Sequence, residues 1–443
     1  MLEDVLDRLL GYKKPRLFTK TEPLPIKDMT APSILYFSLV SGDGRPATPL
    51  VKEGDEISAG TFLGDDGSRQ VVCCPVSGKV AGVVPVADTR GAQSGSAVLV
   101  EPSKDTSAVV FKGLDPKNEA SANLWDRIEK AGIITDAKNP RPLAEVIGPR
   151  SGVELVTLII SAADRDLETN SALQLFREKR EDAYQAAEML GRMTGAARVI
   201  MAVPAPVLKE GDKKGGGKVE TVSVPQRYPS SLEPLLADNH GGGKKARVVM
   251  VETAIAALEA VRDGKVQDSK VVTFINPRGQ AATNLRVPLG SRLKDVMKTM
   301  GLSPREEDKV VAGGPMRGFA QFSLDAAVDQ GIDALMLVPS EGLIPWSDEP
   351  CVSSGLCNDV CPVNIQVSLI NRYAEYGLYD QAEALGVMNC IECGLCASVC
   401  TARRPLVQFI RLAKREIERA RAESQVFETE KVESGTEAEQ AEA

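Results

Sequence analysis

Aromatic residues are scarce in this 443-residue chain, at 4%, which argues against a surface built on stacked rings. There is one histidine, His240, in a Gly-rich stretch read as a loop. A single imidazole cannot furnish His-based metal sites or a Ser-His-Asp relay. No apolar run reaches the roughly 18–20 residues that a membrane span needs. The opening stretch, MLEDVLDRLLGYKKPRLF, lacks the apolar core and small-residue cleavage site of a secretory signal. These absences predict a protein made and kept in the cytosol, with any membrane attachment peripheral. Positive charge is not in excess either: 53 Lys and Arg face 61 Asp and Glu, a formal net charge of -8. Seven Glu and one Lys after residue 422 supply most of that balance, and no basic footprint for nucleic acid remains. Hydrophobic residues at 43% and charged residues at 26% are ordinary for globular protein and exclude wholesale disorder.

What is present is a concentration of cysteine. Seven of nine fall between Cys351 and Cys400. The second half of that stretch reads Cys390-Ile-Glu-Cys393-Gly-Leu-Cys396-Ala-Ser-Val-Cys400. This is the C-x2-C-x2-C-x3-C run of bacterial ferredoxins, whose fourth cysteine reaches across to the other cluster. The first half, Cys351-Val-Ser-Ser-Gly-Leu-Cys357-Asn-Asp-Val-Cys361-Pro362, has the same length and ending but carries Ser354 at the second position. Crossing the fourth ligands predicts one cluster on Cys390, Cys393, Cys396 and Cys361. The other falls to Cys351, Cys357 and Cys400, with Ser354 at its vacant corner. That corner leaves three outcomes open: a [3Fe–4S] cluster, a [4Fe–4S] cluster with a serine or water oxygen, or none. The preferred reading is a bound but altered cluster. Zinc is the competing metal, yet zinc sites usually pair two CxxC units. Two adjacent clusters make a segment of electron wire, which needs no acid or base. Cys73 and Cys74 are read as one buried small hydrophobe and one partly exposed thiol, against a vicinal disulfide or a third metal site.

The fold class expected is α/β multidomain. Residues 1–115 read as an N-terminal helix, Leu2 to Leu10, and a β-sandwich or half-barrel of the lipoyl type, without the lysine that such carriers modify. Residues 116–265 alternate strand and helix, with strands at Leu155–Ile160, Ala197–Val203 and Val248–Val251 and helices at Ser171–Met193 and Thr253–Arg262. Lys209–Lys218 is a polar loop, and the GGGKK run at Gly241–Lys245 is a flexible loop without phosphate-loop order. Residues 266–345 read as a small β-grasp-like domain with a GGPMRG turn at Gly313–Gly318. Residues 346–420 form an α-helical ferredoxin domain, with two amphipathic helices between Cys361 and Cys390. Residues 421–443 are an acidic disordered tail.

In this order the motifs resemble the C subunit family of the Rnf ion-translocating oxidoreductase complex. The likeness spans roughly residues 20–420 and rests on CIECGLC with its fourth cysteine, PLVQFIRLAK, GGPMRG and AEALGVMNCIEC. It implies a peripheral subunit of a membrane-bound redox pump that couples ion movement to electron flow between ferredoxin and NAD. It also implies an α/β domain akin to the flavoprotein subunit of respiratory complex I and an SLBB-type β-grasp. Three departures stand against a flavin or nicotinamide site. Where NADH-using members carry G-x-G-G-A-G-F-P, this chain has only Gly132, in Gly132-Ile-Ile-Thr-Asp-Ala-Lys-Asn-Pro-Arg-Pro-Leu. Their A-E-C-E-P corresponds to Ala162-Ala163-Asp164-Arg165-Asp166, and their Tyr-Pro-x-Gly-Gly-Glu to Tyr228-Pro229-Ser230-Ser231-Leu232-Glu233. Hence only the seven cysteines are carried over as cofactor ligands, and FMN is not expected.

Three functions compete. The first is an electron-transfer subunit, working with other subunits of an Rnf-like complex and with a redox protein such as ferredoxin as possible partner. The second is an NADH:ferredoxin oxidoreductase subunit with a divergent FMN site. The third is an assembly scaffold with a degenerate α/β domain. Arg403, Arg404, Lys414 and Arg415 could dock an acidic ferredoxin or anionic lipid, but a solvated face is the plainer reading.

Overall fold

A computed structural model describes residues 22–421, apart from 41–44, 88–93, 104–108, 136–139, 208–217, 276–281 and 344. The Leu2–Leu10 helix, most of the Lys209–Lys218 loop and the acidic tail lie outside the described residues. Those described fall into two compact units, 22–343 and 345–421.

The first unit opens with strand β1 (Ile26–Asp28) and continues into a β-barrel half. Its strands are β2 (Leu35–Ser38), β3 (Thr48–Pro49), β4 (Glu56–Ile57), β5 (Phe62–Asp65), β6 (Gln70–Cys73), β7 (Gly78–Ala87) and β8 (Ser94–Pro102). They pair as two sheets, β2-β8-β7-β4 and β3-β5-β6. Alternation puts Leu35, Phe37, Leu63, Val80, Val98 and Val100 inward as one core, as a period of two requires. Breaking apolar runs with Gly and Asp keeps β3 to β6 at two to four residues, while β7 and β8 run to ten and nine.

Next come α1 (Ser121–Lys130), α2 (Leu143–Val146), β9 (Thr157–Ser161), α3 (Ser171–Glu178), α4 (Arg180–Thr194), β10 (Arg198–Pro204), β11 (Val219–Val224), α5 (Glu233–Gly241), β12 (Ala246–Met250) and α6 (Val251–Arg262). The four strands are all parallel, in the order β11-β10-β9-β12. β9 is buried throughout because both its faces are covered. Leu158 and Ile160 face one core, while Ile159 faces another with Ile200, Ala202 and Leu236.

The helix expected over Ser171–Met193 is two helices. They break at Lys179, whose backbone leaves helical geometry and whose amine pairs with Glu259 at 2.5 Å. His240 is not in a loop: it sits in the last turn of α5, and the following glycine, Gly242, caps that helix in the left-handed region at φ 78°. The Gly241–Lys245 run is therefore a helix end and a 3-10 turn rather than a free loop.

The remaining elements of this unit are β13 (Ser269–Ile275), β14 (Thr283–Pro288), α7 (Leu293–Thr299), β15 (Lys309–Ala312), β16 (Phe319–Gln321) and β17 (Ala334–Val338). They form a six-stranded mixed sheet, β1-β14-β13-β17-β15-β16. Its outermost strand is β1, from the N-terminal lead-in, which pairs parallel to β14 from Ile26 opposite Asn284.

The second unit is helical: α8 (Leu356–Asp359), α9 (Val367–Glu375), α10 (Tyr379–Ala384), α11 (Leu395–Ser398) and α12 over 406–421. α9 and α10 are the two helices expected between Cys361 and Cys390. Ile370, Ala374, Ala382, Val387, Ile410 and Ala413 form its core.

Candidate functional site: a two-loop cysteine centre

The two cysteine motifs fold as copies of one another. Ser353 and Glu392, each two residues past the first cysteine, adopt left-handed φ of 55° and 52°. Gly355 and Gly394 follow at 77° and 79° and cap α8 and α11. Three residues beyond the last cysteine of each motif, Asn364 and Arg403 sit at 53° and 50°. Non-glycine residues reach this region at a steric cost. Four of the six such positions among the described residues lie in these two loops, so the shape of the loops is held against strain. Sequence reasoning found Gly394 but not the strained Ser353, Asn364, Glu392 and Arg403.

The fold brings the cysteines into two neighbourhoods. A hollow is lined by Cys361, Cys390, Cys393 and Cys396. Burial pushes the Cys393 thiol up to about 11, with smaller contributions from the neighbouring charges of Cys390 and Cys361. Burial also raises Cys396, beside Cys393 and Cys390. In the other neighbourhood, burial raises Cys357, beside Cys351 and Cys400. Among the described residues no group of three or more His, Cys, Asp or Glu side chains closes on a single metal ion.

Donors already point at the sulfurs. The Glu392 N–H donates to Cys390 Sγ at 3.3 Å and the Arg404 N–H to Cys400 Sγ at 3.4 Å. Lys414 Nζ donates to the Cys390 carbonyl at 2.6 Å and to Glu392 Oε1 at 3.2 Å, and Arg411 Nε holds Glu392 Oε2 at 2.9 Å. Arg404 is buried and donates to the Glu349 carbonyl, with Glu375 at 2.6 Å. Arg404 and Lys414 thus brace the loops and are not part of a solvated docking face, while Arg403 and Arg415 are exposed.

Of the positions corresponding to the nucleotide motifs, Asp164–Asp166 and Glu233 come together in the first unit, while Gly132 packs against Cys73. The crevice of such a sheet opens beyond the carboxyl ends of its strands, at the point where strand order reverses, which here is between β9 and β12. Asp164 and Asp166 follow β9 into this place. Asp164 accepts from the Ala172 and Leu173 N–H groups at 2.9 and 3.2 Å, capping α3; burial nevertheless pushes it up to about 6. Between them, buried Arg165 bridges Glu233 at 3.0 Å and Asp333 at 2.9 Å. Burial raises Glu233, but Arg165 and Arg317 outweigh it and hold the carboxyl below its ordinary value.

Asp166 reaches the GGPMRG turn, accepting from Met316 N–H at 3.1 Å and Arg317 N–H at 2.8 Å as well as from Leu167 N–H. Burial pushes it up to about 7 against these bonds. A Cβ on Gly314 would lie 2.3 Å from Asp166 Cγ, so glycine there permits the contact. The cavity left beside this clasp is about 60 Å³.

Gly132, the remaining glycine of its motif, has a packing role. At φ 64°, its missing Cβ would stand 2.3 Å from Cys73 Cβ. Ile133 beside it is buried in the α/β core. Cys74 is fully buried and Cys73 partly so, both free, with thiols pushed up to about 12 by burial. Next to Gly132 lies a cavity of about 320 Å³, lined among others by Phe62, Val71, Cys73, Ile133, Pro142 and Val328.

Comparison with known proteins agrees with this architecture. Residues 11–105 match the RnfC barrel sandwich hybrid domain, and residues 345–401 match a 4Fe-4S dicluster domain. The C subunit of the proton-translocating ferredoxin:NAD(+) oxidoreductase complex of Clostridium ljungdahlii is 24% identical, over 90% of this chain and 91% of its own length. Its counterpart in the Na(+)-translocating ferredoxin:NAD(+) oxidoreductase complex of Acetobacterium woodii is 25% identical, over 92% and 96%. The counterpart in the ion-translocating oxidoreductase complex of Rhodobacter capsulatus is 25% identical, over 89% and 80%. Among solved structures, an NAD+-reducing [NiFe]-hydrogenase in the H2-reduced state gives a TM-score of 0.45 at 14% identity, over 66% of this chain and 61% of the other. No helix among the described residues is long and apolar enough to cross a membrane. The chain is a homologue of the C subunits of Rnf-type ion-translocating oxidoreductase complexes.

Proposed function

We propose that this chain is the peripheral iron–sulfur subunit of an Rnf-like membrane complex, on its cytoplasmic side, and relays electrons without itself using NADH or FMN. Its partners are the other subunits of that complex, with a redox protein such as ferredoxin as a candidate donor or acceptor. Cys361, Cys390, Cys393 and Cys396 would hold one [4Fe–4S] cluster. Cys351, Cys357 and Cys400 would hold the second, with Ser354 at its odd corner. When bound, the clusters supply one-electron acceptance and donation. The protein's own part is to fix seven thiols on two left-handed loops, to aim the Glu392 and Arg404 N–H groups at sulfur, and to keep Lys414 and Arg411 around Glu392. In this reading residues 1–115, 116–265, 266–345, 346–420 and 421–443 are its successive domains and tail.

The observation that carries the reading is the crossed neighbourhood of the cysteines, Cys361 with the second motif and Cys400 with the first. The flavin half rests on fit. Ligand pockets hold roughly 300–1,000 Å³, and the crevice at the clasp leaves about 60 Å³. Beside that crevice Arg165 pairs with Glu233 and Asp333, whereas a nucleotide phosphate would need open backbone amides.

One observation favours the second reading, an NADH:ferredoxin oxidoreductase subunit with a divergent FMN site: the cavity of about 320 Å³ beside Gly132, the one glycine kept from the Gly-rich motif. Anaerobically purified full-length protein separates the two. On the first reading dithionite bleaches the iron–sulfur absorbance, NADH does not, and no flavin is released on denaturation. Reduction of the clusters by NADH with bound flavin would establish the second.

A further inference from the structure

Ser354 occupies the place in the first loop that Cys393 occupies in the second. The residue before it has φ 55° against 52°, and the glycine after it φ 77° against 79°. Both loops then enter a helix at leucine, Leu356 and Leu395. The loop has therefore kept the shape that presents a ligand at this position while losing the thiol. The surroundings differ as well. Cys390, Ile391 and Glu392 are half-buried and Cys393 is buried, whereas the equivalent Cys351, Val352, Ser353 and Ser354 are all exposed.

We infer that the cluster of the first loop is site-differentiated: three irons are held by Cys351, Cys357 and Cys400, and the iron at the Ser354 corner is open to solvent and takes an exchangeable external ligand, a low-molecular-weight thiolate. This rests on the two-cluster reading above and deepens it. The chemistry is a ligand exchange with no change of oxidation state: a thiolate forms an Fe–S bond, and the water on that iron leaves. The preference for thiolate follows from the other three corners, which are soft sulfur donors on the same kind of iron. An aliphatic hydroxyl competes poorly because it must lose its proton to bind well. Exposure supplies the access route, and the preformed loop keeps the corner aimed outward without a side-chain sulfur to close it.

The test uses full-length protein, purified and reduced with dithionite under argon. EPR spectra are recorded with and without 2-mercaptoethanol, and iron is assayed on the same samples. In the wild type, thiolate shifts the g values of one reduced cluster and leaves the other unchanged. Ser354→Ala keeps that response. Ser354→Cys abolishes it and gives a spectrum like that of the thiolate-treated wild type. A wild type with about eight irons whose spectrum ignores thiolate, while Ser354→Ala responds, would show serine oxygen closing the corner and overturn the inference. A sample with about four irons and a single thiolate-insensitive signal would overturn it by leaving the first loop empty. Fewer irons than that would remove the two-cluster reading beneath it.

Discussion

Replacing Asp166 by alanine tests whether the crevice beyond β9 is held shut from within. In the wild type the carboxylate accepts the Met316 and Arg317 N–H groups of the GGPMRG turn, about 150 residues further along the chain, at 3.1 and 2.8 Å. Above about pH 7 the Asp166 carboxyl is ionised, and hydrogen bonds to charged groups contribute about 1.5–3 kcal/mol each, so the two together bound the loss there at about 3–6 kcal/mol. The turn is half-buried, and water can replace part of what is lost, which favours the lower end, about 3 kcal/mol. Hydrogen exchange followed by mass spectrometry reads this locally. At 1.4 kcal/mol per tenfold, the Met316 and Arg317 amides should exchange roughly 100-fold faster in Asp166→Ala. Amides of β9 and β10 should not change. Asp166→Asn retains an oxygen for Met316 but turns an NH2 toward Arg317, so Arg317 should respond more. Unchanged protection at both turn amides, or a uniform loss across the unit, would refute the clasp.

Other consequences follow from the same structure. The proton on Asp166 is held up to about 7 in the folded chain against an ordinary 3.8. Its contribution to stability is therefore complete below about 3.8 and lost as pH rises through about 7; Asp166→Asn should flatten the denaturation midpoint over that window. Gly132→Ala should cost about 1–3 kcal/mol by overpacking, because its Cβ would meet that of Cys73 at 2.3 Å. Adding Cys73→Gly should recover part of the loss in a thermal melt. Lys270 is 1% exposed and paired with Glu252 at the start of α6. Glu252→Leu should therefore cost about 3–5 kcal/mol, and the Glu252→Leu, Lys270→Met double variant much less. Lys414→Met removes a cation next to the Cys390 loop and should lower the potential of the second-motif cluster in an EPR redox titration; a rise would contradict its assigned role.

Local chemistry was legible in the sequence and long-range chemistry was not. Cysteine spacing reports a loop's shape within eleven residues, so the two motifs and the crossing of Cys361 and Cys400 could be anticipated. Strand β9 was legible because both its faces are covered and its residues are apolar throughout. The place of β1 was not, since a three-residue strand finds its partner β14 more than 250 residues away. His240 was misplaced because the glycines after it suggested a loop, although a glycine just past a helix end is also the usual cap. The motifs at Asp164–Asp166, Glu233 and Gly313–Gly318 each stood out separately. Only the fold shows that Arg165 joins Glu233 to Asp333 and that Asp166 joins the turn. The residue pattern at these positions was readable; the ion-paired clasp that they form was not.

The central claim is that this chain carries two iron–sulfur clusters and no flavin. Iron, acid-labile sulfide and flavin, quantified together on one anaerobic preparation of the full chain, test it most directly. The account predicts about seven to eight irons with matching sulfide and no FMN. Stoichiometric FMN, or zinc with fewer than about four irons, would contradict it.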